Sequence, residues 1–341
     1  MTTIPSERDR SIDIARMVAA FLIVLYHAGQ SDSMVGGQPV LGFPPKVIIG
    51  QISLWGRVPF FFFLSGCFCA RSLAKSGTDW WPFSRKRLIA LVPPYLFWNL
   101  VCWLMLVVAL RFGAEFTAAW KITPATALMQ LTGFGMAPAS QPLWFVRDLI
   151  LASCLAPLMF RMGPWLLIPC LALTTFPEPS VQLQEMGVPR PSSFGYFGIG
   201  MLFRYFPRGT FGVLFPRPGP AMGICLAAGL ACLLFKLRAP ALVGPMVGAA
   251  GILLTARFID QSFPKLANWL AANASASFLI FAANVPFFSL ARQVYLKAHL
   301  PLPGIMYFAC LALLFFLLGI WIHKMLRSRF PGLLLIISGG R

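Results

Sequence analysis

The sequence predicts an all-α integral membrane protein with about ten transmembrane helices. Hydrophobic residues make up 58% of the chain and charged residues 11%, and the mean hydropathy is +0.76. These values lie outside the range of soluble domains. Apolar stretches of bilayer-spanning length follow one another along the chain. Short segments of alternating polarity, which a membrane β-barrel requires, are not found. We therefore expect residues 1–341 to form one transmembrane domain, without a separate soluble domain.

The apolar stretches define ten predicted spans, two of them short. The fifth and sixth are too short to cross the membrane upright, so they are expected to be tilted or buried among their neighbours. The spans lie at 11–30, 47–69, 88–110, 143–160, 164–176, 193–206, 220–236, 240–256, 274–291 and 304–323.

The distribution of Lys and Arg predicts that both termini are cytoplasmic. Cytoplasmic loops of membrane proteins carry an excess of basic residues. With ten spans, one side of the membrane holds Arg8, Arg10, Arg71, Lys75, Arg85, Lys86, Arg87, Arg161, Arg204, Arg208, Arg217, Arg257, Lys265, Lys324, Arg327 and Arg329. The other side holds fewer: Lys46, Arg111, Lys121, Arg190, Lys236, Arg238, Arg292 and Lys297. The net charge of +18 then reflects topology and contact with anionic lipids, rather than nucleic-acid binding. We expect a multi-pass protein of a bacterial inner (plasma) membrane.

The first span carries ionisable residues at membrane depth, where such groups are costly unless they are paired or hydrated. They are Asp13, Arg16 and His27. Arg16 and His27 are eleven residues apart, so on a helix they lie within about 20° of the same face and roughly 16 Å apart. A snorkelling arginine and an interfacial histidine would also explain the pair. The alternative is a functional face with a fixed cation at one end and a titratable base at the other. Arg16 lies inside the apolar run, and no cleavage site follows before Gly29, so this is an uncleaved first helix rather than a signal peptide.

The second and third spans add further candidates. Arg57, at the outer end of the second span, needs a carboxylate, a phosphate or water. Ser65 and Gly66 form a small notch that is also typical of close helix packing. Arg85 and Arg87 enter the third span at the cytoplasmic interface, where lipid phosphate or the phosphates of a soluble cofactor are the possible partners.

The fourth and ninth spans contain polar residues that need partners. Arg147 and Asp148 are adjacent, so on a helix they point about 100° apart and each is expected to find a partner elsewhere. Asp148 is a candidate to orient His27 or Arg57, because a carboxylate beside an imidazole fixes its tautomer. Asn284 is a polar group in a largely apolar run. The cysteines lie in apolar runs with spacings that do not support a metal site.

In this order, these stretches resemble the membrane-bound acyltransferase 3 family, and more narrowly its polysaccharide O-acetyltransferase branch. The resemblance covers nearly the whole chain. The matching motifs are Arg16-x10-His27, Phe-Phe-x-Leu-Ser65-Gly66, Arg87-x5-Pro93-Pro94-Tyr95, Leu143-Trp-Phe-Val-Arg147-Asp148 and Phe194-Gly-Tyr-Phe-x-x-Gly200. Two positions depart from the family pattern: Ala90 replaces a second arginine after Arg87, and Phe281-x-x-Asn284 replaces Tyr-x-x-His.

The resemblance implies transfer of an acyl group, most simply acetyl, from cytoplasmic acyl-CoA to a hydroxyl of a cell-envelope glycan or lipid-linked sugar. Acetyl-CoA would be the donor co-substrate, with no metal. Arg16, Arg85 and Arg87 would hold the anionic end of the donor. The catalytic candidates are His27, as general base or acyl carrier, with Asp148 and Ser65. Arg57, Arg147 and Asn284 are candidates to contact the substrate or stabilise the oxyanion.

Two other functions are compatible with these residues. A proton-coupled secondary transporter could use Asp13, Arg16, His27 and Asp148 as a proton and substrate path. Such a protein usually contains inverted repeats, and none is visible in the sequence. A flippase for lipid-linked glycans, or an assembly subunit without enzymatic activity, is the other alternative.

Overall fold

The computed structural model describes residues 10–40, 42–53, 56–76, 79–111, 123–206, 217–235, 243–299 and 302–339. The basic residues Arg8, Lys121, Arg208, Lys236 and Arg238, and the predicted span residues 54–55, 236 and 240–242, lie outside these ranges. The helices of the described ranges are α1 (Arg10–Met34), α2 (Pro45–Ile52), α3 (Arg57–Ser76), α4 (Trp80–Arg111), α5 (Pro124–Thr132), α6 (Trp144–Arg161), α7 (Leu167–Thr175), α8 (Val181–Glu185), α9 (Pro191–Leu202), α10 (Pro218–Leu234), α11 (Val243–Ser262), α12 (Pro264–Ala272), α13 (Ser277–Lys297), α14 (Gly304–Arg329) and α15 (Pro331–Ser338).

The all-α membrane fold predicted from the sequence is confirmed. Within the described ranges, seven helical segments are long and apolar enough to cross a membrane: Arg10–Met34, Arg57–Lys75, Trp80–Ala109, Gln141–Arg161, Val243–Ser262, Ala274–Lys297 and Gly304–Arg329. Two further apolar segments, Gly163–Thr175 and Pro218–Leu234, are shorter, and α9 has only 12 residues. The number of ten crossings therefore stays a prediction.

The predicted second span is wrong in detail, because it is divided into two helices. The hydroxyl of Ser53 donates to the carbonyl oxygens of Ile49 (2.8 Å) and Gly50 (3.1 Å) at the end of α2. Helix α3 begins at Arg57, which places this arginine in the first turn of a helix.

The sequence reasoning also missed a helix, α15, after the last predicted span. Pro331 lies in its first turn, where a missing backbone N–H costs no helical hydrogen bond. The helix packs against α4, and Nε1 of Trp98 donates to the carbonyl oxygen of Ile337 over 2.9 Å. The strongly apolar end of the chain is therefore part of the bundle.

The first helix lies at the centre of the bundle, in contact with α3, α11, α13 and α14. Helices α1 and α13 run in the same direction, because Arg16 contacts Ser277 near their first turns and Arg292 contacts Met34 near their last. We call these two ends of the bundle the Arg16 end and the His27 end.

Helices α3 and α9 approach so closely that only glycine fits at two of their contact points. A Cβ atom on Gly66 would collide with the carbonyl oxygen of Phe197, and one on Gly200 with that of Phe63. Small residues at such contacts let helix backbones approach each other. The glycines of the Ser65-Gly66 notch and of the 194–200 run therefore act in packing.

Candidate functional site

A cavity of about 250 Å³ lies within the bundle at the Arg16 end. Its polar lining combines two guanidinium groups, Arg16 of α1 and Arg87 of α4, with the hydroxyls of Ser65, Ser153 and Ser277. The other lining residues are Phe61, Leu64, Phe68, Cys69, Leu91, Phe145, Leu149, Phe278 and Phe281. Three residues predicted from separate spans, Arg16, Ser65 and Arg87, are thus brought to one cavity.

The position of Arg16 is fixed by neighbours on two helices. Its Nη2 atom donates to Oγ of Ser277 over 3.1 Å, and its Nη1 atom lies 3.6 Å from Oδ1 of Asp13. At the same end, Arg10 pairs with Asp260 of α11 and donates to Oδ1 of Asn268 over 2.6 Å. These contacts anchor α1, so that Arg16 faces the cavity in a defined geometry.

The two predicted donor-binding arginines of the third span occupy different environments. Arg87 is half-buried, lines the cavity and lies with Cζ 5.3 Å from the centre of the Phe83 ring. Arg85 is exposed and is not among the lining residues. Residues two apart on a helix point about 200° apart, so only one of these side chains can face the cavity.

Three phenylalanines close the cavity on the side toward the His27 end. Phe61 lies one turn from Ser65 in the direction of Arg57, and Phe281 lies one turn beyond Ser277. The ring of Phe145 is 5.9 Å from that of Phe61 and 5.4 Å from that of Phe281. We call these three rings the aromatic layer. His27 is not among the residues that line the cavity.

His27 is oriented by a residue that the sequence reasoning missed. Its Nδ1 atom lies 3.1 Å from Oε1 of Gln30. An amide oxygen can only accept a hydrogen bond, so Nδ1–H donates and Nε2 carries the lone pair. The spacing of three residues on one helix face could have identified Gln30. The adjacent Tyr26 ring meets the imidazole edge-to-face at 5.4 Å.

Arg57 lies beside this histidine, at the junction of α2 and α3. Its Nη1 atom donates to Oγ of Ser53 (3.0 Å) and to the carbonyl oxygen of Ile49 (3.2 Å). Its Cζ atom lies 4.5 Å from the centre of the Tyr26 ring, and its charge is within electrostatic range of His27. The break after α2 thus places a cation next to the imidazole.

The expectation that Arg147 and Asp148 would find separate partners is wrong, because they pair with each other. Nε and Nη2 of Arg147 donate to Oδ1 of Asp148 over 2.9 and 2.8 Å. The arginine side chain is long enough to fold back over the turn between two adjacent residues. Oδ2 of Asp148 accepts from the backbone N–H of Arg190 (3.0 Å) and from Oγ of Ser193 (3.4 Å). In the part of the chain that the structure describes, Asp148 therefore does not contact His27 or Arg57.

The remaining donors of Arg147 bind backbone carbonyls of two loops. Nη1 donates to Gly133 (2.8 Å) and Gly187 (2.6 Å), and Nη2 also donates to Val188 (3.4 Å). All five N–H groups of this guanidinium are then engaged, which leaves none for a reacting oxygen. The oxyanion role of Arg147 and the catalytic role of Asp148 stay predictions. The pair ties the loops after α5 and α8 to the start of α6.

Asn284 is completely buried in α13. Neither its Oδ1 nor its Nδ2 atom has a hydrogen-bond partner among the described residues. Seven residues separate it from Ser277, so it lies on nearly the same face of the helix. The described residues therefore leave this amide unsatisfied, and its contact with the substrate stays a prediction.

The family of this chain is decided by comparison with known proteins. The family model described as an acyltransferase domain, acyltransferase 3, matches residues 9–324. The chain belongs to the acyltransferase 3 family. The matched region contains α1 with Arg16 and His27, the cavity and the aromatic layer. No curated protein and no solved structure matches the chain. The protein is thus a membrane acyltransferase.

Proposed function

We propose that this membrane acyltransferase moves an acetyl group from cytoplasmic acetyl-CoA to a hydroxyl of a cell-envelope glycan or lipid-linked sugar. The Arg16 end would be cytoplasmic and the His27 end would face the acceptor, as the distribution of basic residues indicates. In this orientation the exposed Arg85 and Lys86 lie on the donor side, next to Arg87 in the sequence.

The observation that carries the proposal is the pair of guanidinium groups, Arg16 and Arg87, that line one cavity. Arginine in a partly buried site binds phosphates with charge-assisted hydrogen bonds. The volume of about 250 Å³ is below that of pockets for whole drug-sized ligands. It therefore suits part of a donor, such as the slender arm of CoA, better than the whole molecule.

The distance between the two ends fits an extended donor. Helix α1 is continuous from Arg10 to Met34, so Arg16 and His27 are roughly 16 Å apart along its axis and share one face. A donor whose anionic part lies near Arg16 could extend its thioester toward His27. The aromatic layer would have to open to admit the thioester.

The chemistry at the His27 end follows from the hydrogen bond to Gln30. With Nδ1 donating, Nε2 is available to take the proton from the acceptor hydroxyl, whose oxygen attacks the thioester carbonyl. The carbon–sulfur bond breaks, and CoA leaves as its thiolate, which takes up a proton. Arg57 lies close enough to stabilise the developing oxyanion. The same Nε2 atom would carry the acetyl group if transfer proceeded through an acyl-histidine.

The experiment measures ester-linked acetyl on envelope glycans of a deletion strain, complemented with the wild type or with His27→Ala at equal membrane levels. We expect the variant to lose roughly 100- to 10,000-fold in transfer rate, the usual contribution of a general base. Purified membranes should release free CoA from acetyl-CoA when acceptor is added. Equal acetylation in all strains, without acceptor-stimulated CoA release, would contradict the proposal and favour a transporter.

A further inference from the structure

The buried amide of Asn284 is a polar group that the packing of the described residues does not satisfy. The residue has 0% exposure, and both polar atoms of its side chain lack a hydrogen-bond partner among the described residues. Burying an amide without partners costs free energy, because its hydrogen bonds to water are not replaced. A leucine at this position would avoid that cost.

Another completely buried asparagine, Asn99 of α4, shows how the same bundle satisfies a structural amide. Its Nδ2 atom donates to the carbonyl oxygen of Tyr95, and its Oδ1 atom accepts from the backbone N–H of Ser140; each donor–acceptor distance is 3.0 Å. Asn99 thus joins α4 to the loop before α6. The amide of Asn284 makes no such hydrogen bonds among the described residues, so it has no comparable role in stabilising the fold.

The position of Asn284 places it on the line between Arg16 and His27. Helix α13 runs beside α1 in the same direction, with Ser277 level with Arg16. Asn284 is seven residues further on, roughly 10 Å along the axis and within about 20° of the face of Ser277. It therefore lies just beyond the aromatic layer, one turn after Phe281 and before the level of His27.

The amide of Asn284 offers one donor group and one acceptor. It therefore matches an amide of a ligand that passes through an otherwise apolar region.

We propose that Asn284 is a positioning residue that binds an amide of the donor's pantetheine arm as the arm passes the aromatic layer. This inference rests on the proposed function, and it specifies which part of the donor binds at the middle of the path. Arg16 and Arg87 bind the phosphates, and Asn284 holds the arm in register so that the thioester reaches His27.

The first test compares Asn284→Leu with the matched control Asn99→Leu in the purified, full-length protein. Asn284→Leu should unfold at the wild-type temperature or above it, because it removes an unsatisfied buried amide. Asn99→Leu should unfold at a lower temperature, because it breaks two hydrogen bonds. A clear loss of stability in Asn284→Leu would mean that the amide is structural, and it would overturn the proposal. Asn284→Ala provides a second variant if leucine does not fit.

The second test measures binding of two parts of the donor by thermal shift or calorimetry. We expect Asn284→Leu to weaken binding of CoA by roughly 10- to 100-fold. It should leave the binding of adenosine 3′,5′-bisphosphate, which lacks the arm, unchanged. The KM for acetyl-CoA should rise by a similar factor while kcat changes less.

The outcomes separate this inference from the proposed function. If the wild type does not bind CoA, the proposed donor is wrong. If the wild type and Asn284→Leu bind CoA equally, the donor stands and the role of Asn284 is refuted. A fall in kcat alone, with unchanged CoA binding, would also refute the arm contact, because it would place the amide at the transition state instead.

Discussion

The two ends of the bundle each contain a buried arginine next to an aspartate, but they differ in what surrounds the pair. At the His27 end, the side chains of Arg147 and Asp148 are 4% and 0% exposed, and protein groups accept all five donors of the arginine. At the Arg16 end, Arg16 and Asp13 are 16% and 10% exposed, and the arginine faces a cavity. The first arrangement is typical of structure and the second of ligand binding.

The largest expected effect tests the structural side of this comparison. Arg147→Ala would leave the buried Asp148 without its ion-pair partner. Three loop carbonyls would also lose the hydrogen bonds that Arg147 donates to them. Removing one member of a buried pair costs about 3–5 kcal/mol. We expect a marked fall in unfolding temperature, measured by thermal denaturation in detergent, and loss of folded protein from the membrane.

Arg147→Lys tests whether the geometry of the guanidinium, and not only its charge, is needed. A lysine keeps the positive charge but cannot reach five acceptors in the fixed fork of a guanidinium. It should therefore be destabilised almost as much as the alanine variant. If either variant were as stable as the wild type but lost acyl transfer, Arg147 would have a role in the reaction. The distinction between a structural pair and a ligand-binding pair would then be wrong.

The next largest effect is expected at Arg16, which faces the cavity. Arg16→Ala removes a cation that faces the cavity while most of the bundle is unchanged. A hydrogen bond to a charged group contributes about 1.5–3 kcal/mol, so the KM for acetyl-CoA should rise by roughly 10- to 100-fold. Steady-state kinetics against donor concentration measures this. A variant that unfolds early but keeps the wild-type KM would show that Arg16 acts in structure.

A smaller effect is expected at Arg87, with its neighbour as a matched control. Arg87 lines the cavity but is only half-buried, so solvent screens its interaction with the donor. Arg87→Ala should raise the KM for acetyl-CoA by about fivefold. Lys86→Ala removes the same charge from an exposed position one residue away and should leave the KM unchanged. Equal effects of the two variants would indicate general electrostatic attraction rather than a defined site.

A change in kcat rather than in KM tests the description of the His27 end. Gln30→Met keeps the shape of the side chain but removes the acceptor that orients Nδ1 of His27. We expect kcat to fall by about tenfold while the KM for acetyl-CoA stays constant, because loss of an orienting partner typically costs 10- to 100-fold. Gln30→Glu, which keeps an acceptor oxygen, should retain more activity than Gln30→Met. If both variants equalled the wild type in kcat, Gln30 would have no role in positioning.

Much of the fold could be predicted because membrane helices are encoded by long apolar runs. Each predicted span overlaps a helix, but several ends differ: α3 begins at Arg57 rather than at 47, and α4 at Trp80 rather than at 88. The break between α2 and α3 has no signal in the continuous apolar run. Helices outside the ten spans, α12 and α15 among them, are too short to satisfy a spanning criterion and were missed.

The candidate site was only partly predictable. Helical spacing correctly related Arg16 to His27, since both lie on one continuous helix. Spacing failed at Arg147 and Asp148, because it describes where Cβ atoms point and not how far a flexible side chain can fold back. Gln30 was missed because a neutral amide in an apolar run attracts less attention than a charge. That Arg16 and Arg87 share a cavity depends on packing between distant helices, which a single sequence does not encode in a readable form.

The aromatic layer has a consequence for the membrane's permeability. A polar cavity at one end and ionisable residues at the other would form a proton leak if water connected them. Each charge that crosses a potential of 100 mV dissipates about 2.3 kcal/mol. The contacting rings of Phe61, Phe145 and Phe281 interrupt such a water chain with apolar volume. They can therefore insulate the two ends of the bundle from each other electrically.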